Sequence, residues 1–131
     1  MAEHPNVLVY RGVHEKIQSG DFEAVFETLA DDVVWHQIGA DTLHGKEAVR
    51  ASMSAMEELG ADAFELVIHD VVGNDEHVVG LVEATLSVGE QSFTYRTAEI
   101  AHMEDGKVTE RWAFSDDTQR IIDFFASMGG E

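Results

Sequence analysis

With 131 residues, 26 of them acidic against 8 basic and a net charge of −18, the chain has the length of one domain burying roughly two-thirds of its unfolded surface. Its field repels polyanions and anionic lipid, and its few cations, from Arg11 to Arg120, form no cluster, which excludes nucleic acid and membrane surfaces as partners. With no cysteine there is no disulfide framework, thiolate nucleophile or Cys-type zinc site.

From Asn6 to Ser19, Val9 or Tyr10, Val13 and Ile17 recur at helical spacing, and Gly20 ends this first helix. Asp21 caps a short second helix in which Phe22, Val25, Phe26 and Leu29 form the buried stripe, ended by Asp31-Asp32. Val33 to Trp35 reads as a strand and Gly39 to Thr42 as a loop. A third helix opens at Gly45, turns Ala48, Val49, Ser52, Met53, Met56 and Leu59 inward, and closes at Gly60. Beyond Ala61 the period changes to alternation. Four strands, Phe64 to Val72, His77 to Val88, Gln91 to Met103 and Val108 to Phe114, are separated by hairpin turns of Gly, Asn and Asp. Ser115-Asp116-Asp117 caps a last helix carrying Ile121, Ile122, Phe124 and Phe125. Helices followed by a meander define an α+β class in a single domain over residues 1–131.

The segments GDFEAVFETLADDVVWHQ, HGKEAV, HDVVGNDEHVV and EDGKVTERWAFSDD, in this order and spacing, resemble the nuclear transport factor 2-like superfamily, in particular its SnoaL-like, ketosteroid-isomerase-related branch. The resemblance spans roughly Val9 to Phe125. It implies a cone: a strongly curved, mostly antiparallel sheet wrapped around three N-terminal helices, with a short C-terminal helix. It also implies a homodimer through the outer sheet face. The superfamily hosts isomerases, cyclases, hydrolases and non-catalytic binders, so the reaction must be argued from the pocket. The aspartate base of the ketosteroid isomerases corresponds to Gln37 and their first-helix tyrosine to Val13, whereas their acid on the penultimate strand has a counterpart in Glu99. Authentic ketosteroid isomerisation is therefore not expected. In limonene epoxide hydrolases a tyrosine and an asparagine stand at the positions of Trp35 and Gln37. An acid, arginine and acid trio corresponds to Glu83, Leu81 and Asp116, so its central cation is missing. SnoaL-type polyketide cyclisation asks only for an acid–base group in an apolar cavity.

Glu99 shares a strand face with Tyr95, Thr97, Ala101 and Met103. A carboxylate in that apolar setting has its charge disfavoured and can exchange a proton near neutrality. It is the leading catalytic candidate, with a solvated position on the outer face as the competing placement. Trp35 and Gln37, two residues apart, face one way, with Gln37 offering a donor and an acceptor to a ligand oxygen. His36 has the chemistry of a base, but alternation turns it away from them. Asp116 is a further acid, placed as a helix cap with Gln119 completing a capping box. Tyr10, Val13, Met53 and Met56 are expected in the pocket wall, and His14 at its rim from a surface position. Trp112 and Phe114 alternate with Arg111 and Ala113, and aromatics inside is the default. A bulge reversing that parity would bring Arg111 in as an anion anchor. No His-x-His or His-Glu-x-x-His spacing points to a metal, and no cofactor is expected.

The sequence thus describes an enzyme performing cofactor-independent acid–base chemistry, as isomerase, cyclase or hydrolase, on a small apolar oxygenated molecule. A non-catalytic carrier of a hydrophobic ligand and an interaction module with a vestigial pocket stand as alternatives. No apolar run reaches the ~18 residues of a membrane span and the first residues lack a signal pattern, so the expected address is the cytoplasm.

Overall fold

The computed structural model describes residues 3–59 and 64–129, without the side chains of residues 55–59, 64, 88, 125 and 127–129. Gly60 and the Met56 side chain, which the sequence places at a helix end and in the pocket wall, lie outside this description. The first helix, α1 (Pro5–Ser19), is capped by His4, whose Nδ1 accepts from the Asn6 N–H at 3.1 Å. It ends where Gly20 adopts φ 84°, a left-handed conformation that lets its N–H return to Ile17 O at 3.1 Å. The buried stripe is Asn6, Val7, Tyr10 and His14. Val9 and Val13 are only half-buried, so the inward face is rotated from the expected one and His14 is interior, not on the surface. Apolar residues on several sides of this helix leave its rotation ambiguous. The buried Asn6 helps to choose it, because its amide donates to Asn74 O and Asp75 O at 3.1 and 3.2 Å in a distant turn.

Helix α2 (Phe22–Phe26) starts at Asp21, which accepts from Ala24 N at 3.2 Å. Leu29 is not on it. The Thr28 hydroxyl closes on Val25 O at 2.6 Å and Thr28 O accepts from Val108 N at 2.8 Å, drawing the chain into β1 (Leu29–Trp35). A two-residue strand, β2 (Leu43–His44), follows, where the sequence shows only a turn into the helix α3 (Lys46–Leu59). Strands β3 (Phe64–Gly73), β4 (His77–Val88), β5 (Gln91–Glu104) and β6 (Lys107–Ser115) match the expected hairpins within a residue at each end, and α4 (Thr118–Gly129) is the last element among the described residues.

The six strands form one sheet in the order β2-β1-β6-β5-β4-β3, antiparallel except for β1 with β6. The parallel pair lets the chain cross from the helical half to the end of the meander. Val78, Val82, Ala101 and Met103 of the sheet join Val7, Phe26, Leu29, Val33 and Val49 in one buried core. The β5–β6 register slips between His102 and Met103, which pair with Glu110 and Val108 and leave Thr109 as an extra residue.

The cap of α4 differs from expectation. Asp117, not Asp116, accepts from a helical N–H, that of Arg120 at 3.1 Å. Asp116 instead faces β5, where its N–H donates to Arg96 O at 3.0 Å and its carboxylate accepts from Arg96 N at 3.3 Å. Asp117→Ala is accordingly expected to lower stability by about 1 kcal/mol in denaturant unfolding, the usual loss for an N-cap.

Candidate active site

Glu99 lies on the inner face of β5, between Gly80 of β4 and Ala113 of β6 in register. The two small neighbours leave space above the sheet, and α1 fills it. A Cβ on Gly80 would fall 2.5 Å from Tyr10 Cε2, so the bare glycine is what lets the tyrosine ring lie against the strand. Tyr10 donates its hydroxyl to Glu99 Oε1, and one turn later His14 sets Nε2 3.3 Å from the same oxygen. The two rings lie 4.6 Å apart. A first-helix hydroxyl thus reaches the acid from Tyr10, although Val13, the position matched by resemblance, lacks one.

Arg111 completes the cluster. Because Thr109 is bulged out of the β5–β6 ladder, the parity of β6 reverses after Val108. Arg111 and Ala113 point inward, and Phe114 is 59% exposed on the outer face, opposite to the default of aromatics inside. Arg111 Nη2 donates to Glu99 Oε2 at 2.7 Å and Nη1 to His36 O at 3.0 Å, while its guanidinium lies 4.5 Å over the Trp35 ring. The Glu99 and Arg111 side chains are 18% and 17% exposed, so their contact is shielded from solvent.

Burial alone would push the Glu99 carboxyl upward, but the Arg111 charge, together with hydrogen bonds from His14 and Tyr10, outweighs it and holds Glu99 well below the usual carboxylate range. The surroundings are therefore not the apolar setting inferred from strand alternation, and Glu99 is ionised at neutral pH. Burial first and Glu99 second push the Tyr10 hydroxyl far above the ordinary phenol range, and both raise Tyr95 as well. A carboxylate with a depressed folded-state pKa contributes stability above its unfolded pKa and loses it on acidification. The stability difference between wild type and Glu99→Gln is expected to be constant above pH about 4.5, the ordinary value, and to shrink progressively below it in urea titrations.

The remaining sequence candidates are dispersed. Trp35 is half-buried under Arg111, and Met53 is a buried core residue. Gln37 lies beyond the end of β1, its amide donating to Asp41 O at 2.8 Å and accepting from Ser52 at 3.3 Å. It ties the loop to α3 and does not join the Glu99 cluster. His36 faces the other side of the sheet, as alternation requires. There it binds Glu110 at 2.7 Å and Thr42 at 3.0 Å and stacks on Trp112 at 5.6 Å. Asp116 is exposed at the β6–α4 junction. Glu83, a possible member of the hydrolase trio, contacts Arg96 at 3.4 Å on the outer face. The interior acid–cation pair is formed by Glu99 and Arg111, two residues outside that trio.

Between α1 and β3 runs a groove of about 510 Å³, walled by Arg11, His14, Glu15 and Gln18 on the helix and by Leu66 and Ile68 on the strand. His14 is the residue common to the groove and the Glu99 cluster. Its Nδ1 is buried and has no hydrogen-bond partner among the described residues. Such an orphan costs roughly 1–3 kcal/mol. Among the described residues no three His, Asp or Glu side chains are grouped to hold a metal ion, and no helix is long and apolar enough to cross a membrane.

A curved six-stranded sheet packed against helices, with ionisable side chains gathered on its inner face, defines a cone-shaped α+β fold. The chain belongs to the SnoaL-like domain family, whose sequence model matches residues 10–111. No curated protein matches the sequence. Among solved structures it is similar to Bal32a from a soil-derived mobile gene cassette, with 21% identity and a TM-score of 0.82 over 92% of this chain and 95% of that one. It is also similar to an epoxide hydrolase of M. tuberculosis described as LEH-like, with 18% identity and a TM-score of 0.73 over 97% of both chains. A proposed SnoaL-like polyketide cyclase from Jannaschia sp. CCS1 shows 16% identity and a TM-score of 0.77 over 98% of this chain and 94% of that one. At these identities the likeness establishes the shared fold.

Proposed function

We propose that the protein is a cofactor-independent enzyme that performs acid–base chemistry on a small, mostly apolar, oxygenated substrate at the Glu99 centre, as an isomerase, cyclase or hydrolase. The supporting observation is the convergence of Tyr10, His14 and Arg111, from a helix and a strand, on one shielded carboxylate. A structural ion pair needs no imidazole and phenol gathered around it. Arg111 has five N–H donors and places two of them in hydrogen bonds to Glu99 and His36. The remaining donors, held flat over Trp35, suit a substrate oxygen on which negative charge develops. Glu99 acts here as a fixed anion. The epoxide hydrolase and proposed cyclase among the structural relatives support this range of reactions.

The protein works in the cytoplasm as a homodimer joined through the outer sheet face. That face carries Val67, Val72, Leu81 and Phe114, each at least 41% exposed, an apolar area suited to a second copy. The second reading, a carrier of hydrophobic ligands, draws support from the ionised state of Glu99, which makes it a poor proton donor.

The two readings separate on a panel of neutral cyclic ketones and epoxides assayed by mass spectrometry for bound ligand and for product. The enzyme reading expects at least one compound to be converted, with Glu99→Gln retaining the ligand but losing turnover. Ligand retained without conversion by both forms identifies a carrier.

A further inference from the structure

We propose that His14 is the general base of this centre, taking a proton from a neutral carbon acid that enters by the α1–β3 groove, with Glu99 as the residue that orients it. The inference rests on the acid–base reading above and assigns its proton-transfer atom.

Glu99 is engaged on both oxygens. Oε2 accepts from Arg111, and Oε1 accepts from Tyr10 and faces His14 Nε2 at 3.3 Å. The Tyr10 hydroxyl is committed to that carboxylate. Oε1 is engaged twice and Oε2 once, so Glu99 keeps only a remaining site on Oε2, and a carboxylate held well below its usual range is a weak base. An ionised carboxylate beside Nε2 holds the hydrogen of a neutral imidazole on that nitrogen, which leaves the lone pair on Nδ1. Nδ1 is the buried nitrogen that finds no partner among the described residues. Buried polar atoms in native proteins are satisfied with few exceptions, and a buried acceptor left open on a residue of the groove wall is suited to a ligand's hydrogen.

The approach is through the groove, because His14 belongs to its wall. Leu66 and Ile68 supply an apolar surface opposite the helix. Arg11 and Glu15 place opposite charges on the helical side and the protein as a whole is strongly negative, so the groove suits an uncharged substrate such as an enolisable ketone. Nδ1 is covered, so the wall must part around the ring on binding, as catalytic hydrogen bonds commonly form only in the complex.

A chromogenic carbon acid, 5-nitrobenzisoxazole, tests the base without knowledge of the natural substrate. Nδ1 takes the C3 hydrogen, the C–H electron pair becomes a π bond of the product nitrile, the N–O bond breaks, and the phenolate oxygen leaves with its electrons. Wild type is expected to exceed an equal concentration of free imidazole, and His14→Gln to lose about 100-fold or more in kcat/KM, the usual contribution of a positioned base. Ile68→Trp, which fills the groove, is expected to lower kcat/KM; wild-type values in it overturn the groove as the route. Long-range nitrogen–proton NMR of wild type is expected to place the hydrogen of the His14 base form on Nε2, and Glu99→Gln to shift that tautomer balance. A hydrogen on Nδ1 in wild type, or wild-type activity no greater than imidazole, overturns the proposal. Activity retained in His14→Gln but lost in Glu99→Gln overturns it while sparing an acid–base centre that depends on Glu99. Activity retained in both variants removes the reading together with the inference.

Discussion

Arg111→Met is expected to lower stability by about 3–5 kcal/mol at pH 7, the usual result of leaving a buried charge without its partner. The methionine retains much of the side-chain volume over Trp35, so the loss reports on charge more than on packing. Glu99 would keep Tyr10 and His14, but the largest influence opposing its burial would be gone, and its pKa would rise. The pH dependence identifies the cause. On acidification wild type loses the stability contributed by its depressed carboxylate, while in the variant protonation relieves an unpaired buried anion. The gap between the two proteins therefore narrows as pH falls, and denaturant titrations at pH 7 and pH 4 measure it. A gap independent of pH would mean that Arg111 acts through packing alone. Arg111→Lys, which keeps the charge but not the planar donors, is expected to lose less stability.

Gly80→Ala is the second substitution with a large expected effect. The added methyl meets the Tyr10 ring 2.5 Å away at Cε2, and a ring with α1 behind it cannot yield without moving the helix. Overpacking of this kind costs about 1–3 kcal/mol. Its consequence for the site is greater, because displacing Tyr10 separates its hydroxyl from Glu99 and disturbs the neighbouring His14 ring. Near-ultraviolet circular dichroism, sensitive to tyrosine packing, is expected to change while the far-ultraviolet spectrum of the sheet is retained. Turnover of any compound converted by wild type is expected to fall. A variant with unchanged stability and spectrum would show that the strand tolerates a side chain beneath the ring.

Several parts of this site are legible in the sequence. Glu99 was placed with Tyr95, Thr97, Ala101 and Met103 because strand alternation is local, and all five do share the inner face. Gly80 in the middle of a strand was an unused signal for the close approach of Tyr10. The burial of His14 is not legible, because a helix with apolar residues on several sides does not state its own rotation, and the carboxylate that makes burial of an imidazole favourable stands 85 positions away. Strand alternation puts Gln37 on the face of Trp35 only if the strand runs two residues past its end at Trp35.

The sequence by itself determined the order of helices and hairpins and which residues of β5 share a face with Glu99, since periodicity and turn chemistry are read within a few residues. The tertiary structure alone decided that Arg111 turns inward, because the bulge at Thr109 is set by pairing of β6 with strands on both sides. It also decided the ionisation of Glu99, which reverses the expectation drawn from its own strand. A pKa depends on the charges and hydrogen bonds within a few ångströms, and those reaching this carboxylate come from a helix 89 residues away in sequence and from the neighbouring strand.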